Sequence, residues 1–122
     1  MIAQGGGVIL SIASTHAFAY PLAKNALLGM TKSLGIEHAA KNVRVNALAP
    51  GYRESQKVVY YWNGFPDPEK TKTETMKLHP GGRIAAPRET ALAAVFMISD
   101  ECLFMNATCL TVDGSLSVLQ HQ

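Results

Sequence analysis

Three short apolar runs, separated by stretches of a different periodicity, constrain the fold of this chain most. Val8 to Ala13 follows Gly5-Gly6-Gly7. It has the length of a buried strand and is too short for a helix. Val43-Arg44-Val45-Asn46-Ala47-Leu48-Ala49 is a second run, stopped by Pro50-Gly51, and such punctuation ends a strand. Cys109 to Val112 is the third, ended by Asp113-Gly114. Between the first two, residues 20–40 carry Leu22, Ala23, Ala26, Leu27, Met30, Leu34 and Ala39 at three- and four-residue spacing, the signature of a helix with one apolar face. Pro21 is tolerated only in a first turn, which puts the helix start near Tyr20. Pro68 opens a short helix through Leu78, before Pro80-Gly81-Gly82, and Pro87 opens another to about Ile98. Residues 52–70 read as a long irregular connection, the kind that often forms a functional loop or lid. The alternation predicts an α/β fold with parallel strands and right-handed crossovers. Buried parallel strands need both faces covered, and three strands with about three helices cover them thinly. The architecture reads as part of a larger one.

Composition narrows the function classes. Of 122 residues, 48% are hydrophobic and 16% charged, which is core-forming and excludes a disordered chain. The net charge of +2 is spread along the chain with no basic stripe among aromatics, so no nucleic-acid partner is expected. Cys102 and Cys109 form no CxxC pair and are expected to be two buried thiols, with no metal site. The apolar run 8–13 lacks a preceding positive charge and is short for a signal peptide. No run approaches the ~20 apolar residues of a membrane span. A cytoplasmic location is expected. His16, His38, His79 and His121 are dispersed and are expected on the surface or in loops.

Chemistry enters with Tyr20-Pro21-Leu22-Ala23-Lys24, a Y-x-x-x-K. At this spacing phenol and ammonium share one helix face. The cation favours the phenolate, so it lowers the tyrosine pKa from its reference of ~10 toward working pH. Such a tyrosine can exchange a proton with an alcohol or carbonyl oxygen. Alone, the pair is common by chance, and its setting gives it meaning. An apolar strand ending Ser11-Ile12-Ala13-Ser14 precedes it, and Asn42-Val43-Arg44-Val45-Asn46-Ala47-Leu48-Ala49-Pro50-Gly51 follows, with Thr111-Val112-Asp113-Gly114 near the end. This ordered set resembles the short-chain dehydrogenase/reductase family over nearly the whole chain. The family's order is a strand ending N-x-S-S, then Y-x-x-x-K, a helix, R-V-N-x-x-x-P-G and a V-D-G-G strand. The wording is closest to members acting on sugars or sugar acids.

The resemblance implies the C-terminal half of a Rossmann-like, doubly wound parallel sheet. It implies hydride transfer between NAD or NADP and a secondary alcohol or ketone, and a homo-oligomer. Tyr20 would be the general acid/base, Lys24 would tune it and meet the nicotinamide ribose, and Ser14 would orient the substrate oxygen, with Ser11 as the alternative. Pro50, Gly51, Arg53 and Ser55 would contact the cofactor. Arg53 stands where the family usually has an aliphatic residue, and Ser55 where it usually has Thr. The family's Gly-rich T-G-x-x-x-G-x-G turn, which receives the pyrophosphate at a helix N-terminus, has no counterpart. Gly5-Gly6-Gly7 precedes a strand, whereas that fingerprint must follow one. The N-N-A-G segment and its catalytic asparagine are also missing. Ser14 and Tyr20 stand closer together than in the family, though five residues still reach up to ~17–20 Å. Val112-Asp113-Gly114-Ser115 replaces V-D-G-G.

Residues 1–122 are therefore expected to form one partial domain without the dinucleotide-binding half, incomplete for catalysis alone. The alternative is a non-catalytic remnant, or an interaction module pairing through helix 20–40. Trp62, Tyr60 and Tyr61 are either lid residues over a substrate or an aromatic cluster that packs the loop. Leu27, Met30 and Leu34 are core or interface positions, and Glu37 is a solvated helix residue.

Overall fold

The apolar runs form strands that lie side by side. The computed structural model describes residues 1–15 and 19–119, except the side chains of 19–22. Strands β1 (Gly7–Ile12), β2 (Val43–Pro50) and β3 (Cys109–Val112) form one sheet in the order β1-β2-β3. Both pairings are parallel, with Gly7 opposite Val43, Ile12 opposite Leu48, and Ala47 opposite Cys109. β2 is central and carries the core: Val45, Asn46, Ala47 and Leu48 are fully buried. Helix α1 (Ala19–His38) joins β1 to β2, as its periodicity predicts. A short 3-10 turn, Ala39–Lys41, ends on Asn42, whose left-handed backbone (φ 56°) turns the chain into β2.

The two faces of β2 meet different partners, as alternation along a strand requires. Ala47 and Ala49 pack with Ala13 and with Leu28 of α1. Arg44 and Asn46 point the other way, to the end of helix α4 (Pro87–Ile98) and the segment after it. The Arg44 guanidinium donates to the carbonyls of Met97, Ser99 and Met105 at 3.0–3.2 Å and contacts the Cys102 thiol at 3.6 Å. Asn46 donates to Met105 O and accepts from Thr108 N. Asn106 bridges the Val45 amide and the Gly35 carbonyl. The close approach of α1 at that point requires Gly35, where a Cβ would stand 2.9 Å from that of Ala107.

The connection between β2 and β3 departs from expectation. Residues 52–70 are not irregular throughout, because Gln56–Asn63 forms helix α2. Its β-branched and aromatic residues are weak helix formers, and tertiary contacts decide. The Ser55 side chain caps the helix from Val58 N, and the buried Trp62 indole donates to Thr75 of helix α3 (Pro68–Lys77) at 3.1 Å. Trp62 is thus a packing residue, while Tyr60 is 81% exposed. His79 is also not at the surface. It is buried, with Nδ1 3.1 Å from Thr75 O and its ring edge-on to Tyr52. His38 is half-buried beside Glu37, and His16 and His121 lie outside the described residues. Cys102 is buried and Cys109 half-buried, both free thiols.

Candidate active site

The C-terminal ends of β1 and β2 gather most of the residues picked out by the sequence. Past Ile12 the chain keeps following β2: Ala13 N donates to Leu48 O, and Thr15 donates through N and Oγ1 to Pro50 O. This carries Ser14 to the end of the sheet. Lys24, in the second turn of α1, donates from Nζ to the carbonyl of Ile12 at 2.5 Å. Its ammonium is thereby held at the same end. Tyr20 lies one turn earlier on α1, four residues before Lys24, which puts both on one helix face. The expectation that its hydroxyl joins Ser14 and Lys24 falls on a side chain outside the described residues.

β2 closes with Pro50, which gives no amide to the ladder and so suits a strand end. The Gly51 amide donates to Val112 O. A side chain at Gly51 would stand 2.8 Å from Cα and Cβ of Asp113, so only glycine lets the two strand ends come this close. Asp113 is fixed by the turn it builds, its carboxylate accepting from the amides of Ser115 and Ser117. Two backbone hydrogen bonds to Ala85, from Glu54 N and to Tyr52 O, pin the segment from Tyr52 to Glu54. The helix cap Ser55 follows directly.

The result is a cleft of about 250 Å³ at the strand ends. Ser14, Pro50, Gly51, Arg53 and Ser55 all line it. Ser11, the alternative to Ser14, sits inside β1 opposite Ala47 and is not among the lining residues. The cleft also takes Tyr52, Lys57 and Tyr61, which sequence reasoning missed as site residues. Lys57 and Tyr61 are one turn apart on α2, so recognising Ser55 as a helix cap would have exposed them. Burial, reinforced by Tyr61, pushes the Tyr52 phenol above its ordinary value, so it stays protonated at neutral pH and offers a neutral hydroxyl. Tyr52 also borders a second cavity, of about 230 Å³, with His79, Arg83, Glu89 and Asp113. Among the described residues, no group of His, Cys, Asp and Glu is arranged to hold a metal ion.

Comparison with known proteins places this geometry. The family model described as enoyl-(acyl carrier protein) reductase matches residues 1–117. Cyclohexanol dehydrogenase from Acinetobacter sp. (strain SE19) is 32% identical over 94% of this chain and 45% of its own length. The A-factor type gamma-butyrolactone 1'-reductase of Streptomyces virginiae is 35% identical over 98% of this chain and 48% of its own. The chain thus spans about half the length of the curated relatives it matches. Among solved structures, ligand-free aldohexose dehydrogenase from Thermoplasma acidophilum superposes with a TM-score of 0.90 at 31% identity, over all of this chain and 52% of that one. An actinorhodin polyketide ketoreductase solved with NADPH gives 0.89 at 28% identity, over 98% and 50%. The parallel sheet, the Y-x-x-x-K on its first helix and these likenesses together mean that the chain belongs to the short-chain dehydrogenase/reductase family.

Proposed function

We propose that this chain supplies the proton-transfer centre and nicotinamide end of an NAD- or NADP-linked oxidoreductase acting on a secondary alcohol or its ketone. The observation that carries the reading is the convergence of Ser14, Pro50, Gly51, Arg53 and Ser55 on one cleft, with the Lys24 ammonium anchored at the same sheet end. Open α/β sheets bind ligands at this end of their strands.

The cleft suits part of a dinucleotide. It is below the ~300–1,000 Å³ of a typical complete ligand pocket, and among the described residues its lining holds two cationic residues and no carboxylate. When bound, the nicotinamide supplies the hydride chemistry. The chain's own residues would do the rest. Ser14 donates to the substrate oxygen and orients it. Tyr20 exchanges the proton with that oxygen, and the Lys24 ammonium, one helical turn away, favours the phenolate that must form. Pro50, Gly51 and Ser55 wall the cleft, and Arg53 and Lys57 bring positive charge to it. Among the described residues, no helix opens on a glycine-rich turn directly after a strand, so a pyrophosphate has no such cradle here.

A homo-oligomer and a cytoplasmic location belong to the same reading. No helix among the described residues is long and apolar enough to cross a membrane. A second reading, an interaction module that pairs through helices, is favoured by the exposed Met30 and Ile36 of α1. Titration calorimetry with NADH and NADPH separates the two. The first reading predicts weak binding and, wherever turnover is measurable, its loss in Tyr20→Phe with cofactor affinity nearly unchanged, because only the proton-transfer hydroxyl is removed. Turnover that survives Tyr20→Phe would show that the wrong residue carries the proton. Complete absence of cofactor binding would favour the interaction module.

A further inference from the structure

Arg53 differs from the chain's other arginines. Arg44 spends its guanidinium on three carbonyls and a thiol, and Arg83 is paired two-pronged with Glu89 at 2.8 Å. Arg88 is exposed on α4. Arg53 is half-buried, lines the cleft, and makes no side-chain hydrogen bond or ion pair among the described residues. A guanidinium withdrawn from water without an acceptor loses hydration and regains nothing. It is also built in place, because its own residue bridges to Ala85 and both flanking residues hydrogen-bond there.

The other polar residues of the cleft have the same character, set among the apolar Ile12, Ala13, Pro50 and Val58. Lys57 adds a second positive charge, Ser14, Ser55, Tyr52 and Tyr61 bring hydroxyls, and among the described residues no carboxylate lines the wall. Helix α2 begins beside this wall, at its cap Ser55. Burial keeps the Tyr52 hydroxyl protonated, hence a donor. A cleft of donors and cations around a reacting alcohol is complementary to a substrate that carries its own negative charge.

We propose that the substrate of this cleft is a small organic acid, a hydroxy acid or its oxo counterpart, whose carboxylate pairs with Arg53. The guanidinium donates two parallel hydrogen bonds to the carboxylate oxygens, a geometry that a neutral alcohol cannot use. Lys57 contributes charge. The carboxylate fixes which carbon of the substrate faces Ser14, so Arg53 sets both selectivity and orientation. This inference rests on the oxidoreductase reading for the role of the hydroxyl, though the anion site itself does not.

Lactate and propylene glycol test it. They share the secondary alcohol and differ only in carboxylate against hydroxymethyl. Binding of each to the whole chain is measured by titration with NMR detection. Lactate is expected to bind at least about tenfold tighter, the scale of a charge-assisted hydrogen bond. Arg53→Leu should erase the difference and Arg53→Lys should retain part of it. Added salt should weaken lactate and leave propylene glycol unchanged. Circular dichroism of the variants confirms that the fold persists. Equal affinity for the two ligands overturns the proposal, as does a lactate preference that survives Arg53→Leu or is insensitive to salt. Pyrophosphate is the third ligand: if its binding depends on Arg53 and that of lactate does not, the charge serves a phosphate and the acid-substrate assignment is wrong. NADH is titrated separately. Lactate discrimination without nicotinamide contact would defeat the oxidoreductase reading and leave the acid site standing, and the converse would defeat only the acid site.

Discussion

Arg44 shows how one residue can organise a fold without entering its chemistry. Its guanidinium gathers the carbonyls of Met97, Ser99 and Met105, which lie 53 to 61 positions away in sequence. It ties the central strand to the end of α4 and to the segment that leads into β3. Replacement by Ala strands these carbonyls and leaves a gap, so Arg44→Ala is expected to lower the unfolding free energy by about 2–4 kcal/mol. Urea titration followed by circular dichroism checks this, and a loss below ~0.5 kcal/mol, the range of a neutral surface change, would contradict it. In the sequence Arg44 and Asn46 are legible only as letters of a motif. Their roles depend on partners that no local pattern identifies. Gly51 is the opposite case, since Pro50-Gly51 already signals a stop. The structure adds that the glycine lets β2 and the turn after β3 come within contact distance.

Elements with strong periodicity or sharp boundaries were legible. The three strands read from their short apolar runs and the breaks beside them, α1 from its spacing, and α3 and α4 from Pro68 and Pro87 at their first positions. Helix α2 was not, because Val58, Val59 and Tyr60-Tyr61 favour extended chain locally, and the Ser55 cap and the Trp62–Thr75 contact offset that preference. That miss hid Lys57 and Tyr61 from the site. His79 was misread for a similar reason: the Pro80-Gly81-Gly82 turn beside it signals a surface loop, yet its ring is held by Thr75 and Tyr52. The start of α4 carries its own pH dependence. Arg83, and then the Ala86 amide, hold the Glu89 carboxyl down at about 2, against a reference of 4.5. A folded pKa below the unfolded one stabilises above the unfolded value, and that contribution is lost as pH falls through the folded value. Wild type is therefore expected to lose stability relative to Glu89→Gln between about pH 4.5 and 2. Both residues are exposed, so the effect is small and salt-sensitive. Parallel acid titrations of the two proteins would reveal it, and a constant difference across that window would contradict it.

At the scale of the whole molecule, the sheet formed by the described residues ends on β1 at one side and β3 at the other. Among the described residues β1 pairs only with β2, and Met30, Ile36, Leu92, Val95 and Phe96 are all substantially exposed on α1 and α4. An open parallel edge beside apolar surface favours association. Sedimentation of this chain is expected to show concentration-dependent self-association. A monomer at all concentrations with a cooperative melt above ~60 °C, where stable domains lie, would contradict that. In the proposed role the chain meets the nicotinamide end of the cofactor and leaves the adenine end uncontacted. Saturation-transfer NMR on NADH with this chain tests it most directly, because nicotinamide and adenine protons report separately. Transfer to the nicotinamide ring and little to the adenine is expected. Equal or stronger transfer to the adenine, or transfer to neither ring, would contradict it.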